Sequence, residues 1–175
     1  MIKLLSILFL LFCFPLNAKL IETKSPKALC SNGEQATFTF FEGNSKNWLI
    51  HFQGGGVAGN EDQYKSRNEW MKSPAVSADR GKSHMVEDFI QNSFNVIFVP
   101  YCSNDLHQGT HTHLIDGKEV YFHGRFIVED IFTQFDDEFE KADKLVFSGD
   151  SAGSIALGFN IDLIKKYKSP YVITD

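Results

Sequence analysis

The sequence lacks an excess of basic residues. It carries 17 Lys and Arg against 22 Asp and Glu over 175 residues, which gives a formal net charge of -5. Proteins that bind nucleic acid present clustered positive charge to the phosphates, so we expect no nucleic acid partner. Internal repeats and low-complexity stretches are also missing, and the length is typical of one domain. The acidic balance favours solubility but identifies no substrate.

A hydrophobic run long enough to cross a membrane is missing as well. The apolar run at residues 4–14 has eleven residues, whereas a membrane-spanning helix needs about 20. Lys3 precedes this run, and Ala18 follows it as a small residue at a cleavage position. These features predict a cleaved signal peptide over residues 1–18 and a mature domain over residues 19–175. We therefore expect secretion or export to the periplasm, with no stable membrane insertion after cleavage; the alternative is an N-terminal membrane anchor.

Cysteine is scarce. The chain has three, and Cys13 would leave with the signal peptide, so the exported protein would keep Cys30 and Cys102. Cysteines of exported proteins are usually paired, because their compartments are oxidising. We expect these two to be paired, although the geometry that a bridge requires cannot be read from a sequence.

Aromatic residues, by contrast, are abundant, with 17 Phe in the chain. Disordered chains avoid aromatics, so this composition indicates a globular protein with a core. Short apolar runs bounded by turn residues predict strands, at residues 36–42, 47–53, 94–99, 144–148 and 171–174. Spacing and polarity predict the remainder: helices at residues 121–139 and 152–167, loops and short helices at residues 60–90, and a polar loop at residues 102–120. Because strands and helices alternate, we predict an α/β fold with a mostly parallel sheet and helices on both faces.

The strongest catalytic signal is the segment Gly149-Asp150-Ser151-Ala152-Gly153, between a predicted strand and a predicted helix. A sharp strand-to-helix turn of this kind needs small flanking residues and lifts the serine hydroxyl above the sheet. The backbone N–H of Ala152 can then face a developing oxyanion. We predict Ser151 as a nucleophile; the alternative is an ordinary strand–turn–helix junction with a serine cap.

A glycine run, Gln53-Gly54-Gly55-Gly56, ends an earlier predicted strand. Backbone N–H groups can approach a reacting group closely where side chains are absent, and a loop of this kind supplies the second donor of an oxyanion hole. We predict Gly55 and Gly56 as oxyanion donors. The alternative is a flexible turn.

A candidate base is missing. In folds that use this elbow, an acid and then a histidine follow the serine, but the 24 residues after Ser151 contain no histidine. They do contain Asp162, inside a predicted helix, and Asp175. A serine without a base is a poor nucleophile, so this chain cannot by itself complete a triad in the usual order.

The histidines before Ser151 give no convincing base. A local cluster suggests metal binding as an alternative; its members are Asp105, His107, His111 and His113. Histidine-rich loops are more often solvated polar loops, and no further ligand completes a firm set. We therefore predict no metal and no cofactor, and we interpret His51 and His123 as structural.

Several segments, in order along the chain, resemble the pectin acetylesterase and Notum family of serine carboxylesterases. They are Cys30-Ser31-Asn32-Gly33, residues 48–56, residues 99–105, Tyr121-Phe122-His123-Gly124, residues 148–153 and residues 172–175. The resemblance implies an α/β-hydrolase fold and hydrolysis of an O-acyl ester. It also implies a nucleophile, three oxyanion donors and one disulfide: Ser151; Gly55, Gly56 and Ala152; Cys30 with Cys102.

The chain departs from the family pattern at two points. Family members carry an aromatic residue and a cysteine just after the glycines, whereas this chain has Val57-Ala58-Gly59. The family's catalytic Asp and His would lie beyond residue 175. We therefore expect a truncated product or partial gene that is inactive as this fragment alone.

These observations together predict a secreted serine carboxylesterase when full length. Its expected partner is an acylated polysaccharide such as acetylated pectin, or another O-acyl ester. A non-catalytic secreted remnant or binding module that lacks the triad histidine is the main alternative. A Gly-Asp-Ser lipase is disfavoured because that motif opens its domain, whereas Gly149-Asp150-Ser151 comes late in this chain. A metal-binding protein built on the His107 loop is a third reading.

Overall fold

The computed structural model describes residues 18–67 and 84–174. The strands of this part are β1 (Ala18–Glu22), β2 (Thr37–Phe41), β3 (Asn47–Phe52), β4 (Asn95–Val99), β5 (His111–Ile115), β6 (Lys118–Phe122), β7 (Lys144–Gly149) and β8 (Tyr171–Thr174). Its helices are α1 (Glu61–Arg67), α2 (His84–Gln91), α3 (Gly124–Gln134), α4 (Asp136–Glu140), α5 (Ala152–Phe159) and α6 (Ile161–Ile164). None of the helices in these two ranges is both long and apolar enough to cross a bilayer.

Six of these strands form one sheet in the order β1-β2-β4-β3-β7-β8. The four strands β4, β3, β7 and β8 are parallel to one another. At the side of β4, strand β2 pairs antiparallel with β4, and β1 pairs antiparallel with β2. Phe52 at the end of β3 pairs with Val99 of β4 and with Gly149 of β7. The loops that follow β3, β4 and β7 therefore leave the sheet at the carboxyl ends of these strands, where ligands bind in open α/β sheets.

Strands β3, β4 and β7 are buried on both faces, and the helices on both sides of the sheet confirm the predicted α/β class. In β3, Trp48, Ile50 and Phe52 contribute to one core with α3, α4 and α5, and Leu49 contributes to a second core with α2. Successive side chains of a strand point to opposite faces. His51 accordingly belongs to the Leu49 side, where its ring stacks on Phe98.

Aromatic side chains fill the larger of these two cores. Phe132 of α3 stacks on Phe147 of β7 with 5.4 Å between ring centroids, and Phe139 of α4 meets Phe147 edge to face. The Tyr167 ring also packs against Phe147, with 6.4 Å between ring centroids, and lies 6.0 Å from Phe132. Full burial of one Phe stabilises a fold by about 1.5–3 kcal/mol, so the Phe side chains of this helix–sheet layer contribute strongly to the stability of the core.

The predicted polar loop at residues 102–120 is wrong in its second half, where β5 and β6 form a hairpin. Asp116 and Gly117 make its two-residue turn, with φ of 51° and 74°. Two positive φ values are what a type I′ turn requires, and Asp-Gly is a favoured sequence for it. The Asp-Gly pair was therefore the signal that could have revealed the hairpin.

Four other features differ from the sequence-based prediction. Residues 121 and 122 complete β6, and the predicted helix at residues 121–139 is divided into α3 and α4 at Phe135. The predicted helix at residues 152–167 is divided into α5 and α6 at Asn160. Strand β1 was not predicted; it pairs with β2 from Ala18 to Glu22. Its exposed side chains give it no clear alternation for a sequence pattern to detect.

The N-terminal segment is tied to the sheet by a disulfide between Cys30 and Cys102, 72 residues apart. This is the pairing that the family resemblance implies. Ser31 N also donates to the carbonyl of Cys102 at 2.9 Å. The predicted signal peptide lies outside the described residues, apart from Ala18.

Candidate active site

Ser151 occupies a sharp turn between β7 and α5. Its φ of 51° and ψ of -114° lie outside the conformations that residues with a side chain normally adopt. Two backbone bonds hold the turn, Asp150 N to the carbonyl of Phe52 at 3.3 Å and Gly153 N to the carbonyl of Asp150 at 2.8 Å. Ser151 is exposed at the top of the sheet. This is a strained strand-to-helix elbow with an exposed serine at its tip.

Gly153 is required by a close approach in this turn. A Cβ atom at this position would collide with the backbone carbonyl of Phe52 and would lie 3.1 Å from the carbonyl carbon of Gln53. The start of α5 therefore packs directly against the end of β3. Only a residue without a side chain permits this contact.

The glycine loop lies beside the elbow. A Cβ on Gly54 would lie 3.1 Å from the Cβ of Ser151, and Gly54 N donates to Oδ1 of Asp150 at 3.0 Å. The structure thus brings Gly54, the residue before the predicted donors Gly55 and Gly56, next to the predicted nucleophile. Ala152 is the first residue of α5, so its N–H has no acceptor within the helix.

Gln53 fixes the base of this loop. Its backbone N donates to the carbonyl of Val99 at 3.0 Å, and its side-chain oxygen accepts from Tyr101 N at 3.1 Å. The Tyr101 ring packs against Gly55, where a Cβ atom would meet it. Burial raises the pKa of Tyr101, so its phenol stays protonated. The loop is therefore supported by neutral groups from the segment after β4.

The His107 side chain contacts the start of the same loop. Its Nε2 lies 3.1 Å from the carbonyl of Gln53, and because a carbonyl only accepts, Nε2 carries the proton. Its ring packs edge to face against Phe52. Burial lowers the pKa of His107, which keeps the ring neutral. Sequence reasoning placed His107 in a solvated loop, and this was wrong.

A buried hydrogen-bond network lies under the elbow. His51 Nδ1 lies 2.9 Å from Oγ of Ser148, and His51 Nε2 lies 3.2 Å from Oδ1 of Asp150. The hydrogen bond from His51 and the N–H of Gly54 hold the pKa of Asp150 below its ordinary value. Asp150 is therefore an anion at neutral pH, with two donors on one oxygen.

The histidine cluster that suggested a metal is dispersed. His111 stacks on Phe122, and His113 lies 3.9 Å from Glu61 on the surface. Asp105 accepts from Ser103, Gly109 and Gly124, so its carboxylate organises the loop and the start of α3. Within residues 18–67 and 84–174, no group of three or more His, Cys, Asp or Glu could hold a metal ion.

The other titratable candidates lie elsewhere. Asp162 pairs with Arg125, with 2.8 and 2.5 Å between their atoms, on the outer side of α3 and α6. His123 Nδ1 donates to the carbonyl of Lys27 at 2.8 Å, as expected of a structural histidine. Asp175 lies outside the described residues. His51 uses both ring nitrogens on Ser148 and Asp150.

The chain matches known proteins over most of its length. Residues 14–172 match the family model described as Pectinacetylesterase. The palmitoleoyl-protein carboxylesterase NOTUM of Schmidtea mediterranea is 31% identical over 134 residues, which are 70% of this chain and 25% of that protein. Pectin acetylesterase 7 of Arabidopsis thaliana is 24% identical over 154 residues, which are 79% of this chain and 38% of that protein. The chain thus spans well under half the length of these curated relatives.

The fold also matches that of a solved protein. A crystal structure of the Wnt deacylase Notum from Drosophila superposes with a TM-score of 0.68 at 21% identity, over 89% of this chain and 50% of that chain. At this level of identity the match concerns the fold. It confirms the expected α/β-hydrolase-like architecture.

Proposed function

This chain belongs to the pectinacetylesterase family, and from that premise we propose that it carries the nucleophile and oxyanion hole of a secreted serine carboxylesterase. The observation that supports this most is the strained backbone of Ser151, with a φ of 51° and a ψ of -114°, at the end of β7 and beside Gly54 of the glycine loop. Backbone strain at an exposed serine is retained where the surrounding structure holds it for a functional reason. The proposed reaction is hydrolysis of an O-acyl ester.

The first half of the reaction forms an acyl-enzyme. Oγ of Ser151 attacks the ester carbonyl carbon, and its proton passes to a histidine that then protonates the departing alcohol. The carbonyl oxygen becomes an oxyanion that accepts hydrogen bonds from Ala152 N and from the N–H groups of Gly55 and Gly56. Water then attacks the acyl-enzyme by the same route and releases the acid.

The histidine and its acid are contributed, in this proposal, by sequence that follows β8 in the complete protein. The order nucleophile, acid, histidine along α/β-hydrolase chains supports this assignment. The use of both ring nitrogens of His51 on buried partners also supports it, because His51 cannot shuttle a proton while it holds Ser148 and Asp150.

We propose an acetylated polysaccharide such as pectin as the substrate. The name of the matched family and that of the Arabidopsis relative support an acetyl ester. A second candidate is a long acyl chain on a protein, which the name of the Schmidtea relative favours. The two candidates differ in the size of the acyl group that the site must accept.

Export is part of this proposal. The apolar run at residues 4–14 and Ala18 after it support cleavage of a signal peptide at the end of residues 1–18. N-terminal sequencing of the protein recovered from the culture medium or periplasm should then begin at Lys19.

The experiment uses the protein expressed from its complete coding region. We expect release of acetate from acetylated pectin, and hydrolysis of p-nitrophenyl acetate in preference to p-nitrophenyl decanoate. The Ser151→Ala variant should lose this activity by a factor of at least about 10³. Ser66→Ala is the matched control, since Ser66 is exposed on α1 and its hydroxyl donates to the nearby carbonyl of Gln63.

Three other outcomes would lead to different conclusions. A preference for the decanoate ester would favour the long-chain candidate over the acetyl ester. Activity that survives Ser151→Ala would exclude Ser151 as the nucleophile. A folded, complete protein without esterase activity on either ester would favour the non-catalytic binding module.

A further inference from the structure

Asp150, the residue before the nucleophile, connects the elbow to the glycine loop. Its Oδ1 accepts from Gly54 N at 3.0 Å and faces His51 Nε2 at 3.2 Å. Gly54 immediately precedes Gly55 and Gly56, the two oxyanion donors of the proposed function. Oδ1 of Asp150 therefore accepts from the first amide of the glycine loop. The backbone of Asp150 is itself part of the turn that carries Ser151.

His51 holds this carboxylate from inside the sheet. The ring is fully buried and stacks on Phe98 with 5.7 Å between ring centroids, so it has one orientation. A carboxylate only accepts hydrogen bonds, so Nε2 carries a proton toward Asp150. Nδ1 lies 2.9 Å from Oγ of Ser148, which is also fully buried. The strands β3 and β7 are thereby joined through side chains at their carboxyl ends.

The packing leaves little freedom for this contact to move. A Cβ on Gly54 would collide with the carbonyl oxygen of Asp150, so loop and elbow touch through their backbones. The neutral, buried ring of His107 holds the carbonyl of Gln53, the residue before Gly54. A small shift of Gly54 relative to Ser151 would therefore displace the donors from the oxyanion they must meet.

We propose that Asp150 is a positioning residue, which sets the glycine loop against Ser151 through its bonds to Gly54 and His51. The inference rests on the proposed esterase function and deepens it, because it assigns the alignment of the oxyanion hole to a side chain. Asp150 touches no reacting atom in this proposal. Its effect is carried by Gly54, and a misplacement of about 1 Å in such a site can lower the rate by about 100-fold.

The test compares variants of the complete protein. Asp150→Ala removes both acceptor bonds, whereas Asp150→Asn keeps a carbonyl oxygen for Gly54 N or for His51. Asp136→Ala is the matched control, because Asp136 also loses two partners, Lys166 and Tyr167, but lies on α4 away from the site. The readouts are kcat, KM and the affinity for a trifluoromethyl ketone, whose serine adduct carries an oxyanion.

We expect Asp150→Ala to lower kcat about 10- to 100-fold, with KM changed less than about threefold. The affinity for the trifluoromethyl ketone should fall by a similar factor, because the oxyanion hole binds the adduct more tightly than the substrate. Asp150→Asn should recover most of the loss. A kcat within twofold of the unsubstituted protein, or a fall matched by Asp136→Ala, would overturn the proposal.

Amide hydrogen exchange separates this inference from the proposed function. If the unsubstituted protein shows no Ser151-dependent activity, the esterase proposal fails, but exchange at Gly54, Gly55 and Gly56 still reports the positioning. Faster exchange of these amides in Asp150→Ala, with the same melting temperature as Asp136→Ala, would support it. Unchanged exchange would contradict it.

Discussion

Two serines near the elbow, Ser148 and Ser151, differ in their exposure to solvent, and this difference decides which of them a substrate could reach. Ser148, His51 and Asp150 form a hydrogen-bonded row with the residue types of a catalytic triad. Ser148 is fully buried, however, and no substrate carbonyl can reach it. Ser151 is exposed three residues later in the elbow. The buried row therefore holds the elbow in place, and Ser151 is the serine that meets an ester in our proposal.

The contact between Gly153 and Phe52 leads to a prediction at the residue scale. Gly153→Ala should force the start of α5 away from β3 and destabilise the protein by about 1–3 kcal/mol, as overpacking does elsewhere. Gly158→Ala is the matched control, because a Cβ at Gly158 meets nothing within 4 Å. In that helical position alanine should stabilise by about 0.5–1 kcal/mol.

Denaturant unfolding of both variants measures the two effects. Equal midpoints for Gly153→Ala and Gly158→Ala would show that the elbow does not need its close approach to β3.

The sequence motif predicts those site residues that are close together along the chain. It does not predict the distant side chains that hold them in place. Ser151, Ala152 and the glycine loop belong to short segments that a motif can detect, and in the described residues Gly54 of that loop lies against Ser151. The bond between His51 and Asp150 joins residues 99 apart. It depends on the register of β3 with β7, which no spacing along the chain reveals. His51 was interpreted only as structural for this reason.

At the scale of elements, the strands were easier to predict than the helix ends. β3, β4 and β7 are buried on both faces, so each contains a short apolar run with turn residues beside it. Helices α3 and α4 share one apolar face, and its continuous spacing conceals the break at Phe135. The break at Asn160 follows from a contact distant in sequence, since the Asn160 side chain donates to the carbonyl of His107 at 3.0 Å.

The ion pair between α3 and α6 leads to a prediction at this scale. Arg125 lowers the pKa of Asp162 to about 2 through two hydrogen bonds. The folded-state pKa is below the unfolded value of about 4, so the pair stabilises the fold above pH 4. This contribution should be lost as the pH falls from about 4 to about 2.

Denaturant unfolding of the unsubstituted protein and of Asp162→Asn at a series of pH values tests this. Asp162 is half exposed, so the difference at pH 7 should be only about 0.2–1 kcal/mol. It should shrink toward zero near pH 2. A difference that stays constant from pH 7 to pH 2 would show that the ionised carboxylate is not responsible.

At the scale of the whole molecule, three sets of contacts stabilise the sheet that carries the site. The aromatic layer with α3 and α4 packs on one face, α2 packs on the other, and the disulfide between Cys30 and Cys102 ties the N-terminal segment to the loop after β4. That loop carries Tyr101 and His107, which support the glycine loop. The rigid parts of the described chain therefore converge on the edge where Ser151 lies.

The central claim is that Ser151 is the reactive nucleophile, and one measurement tests it most directly. The complete protein is treated with a fluorophosphonate, which bonds to activated serines, and the modified residue is located by peptide mass spectrometry. Our account predicts a single label on Ser151, within the peptide from Leu145 to Lys165, and none in Ser151→Ala. A label on another serine, or an active esterase that takes no label on Ser151, would contradict the account.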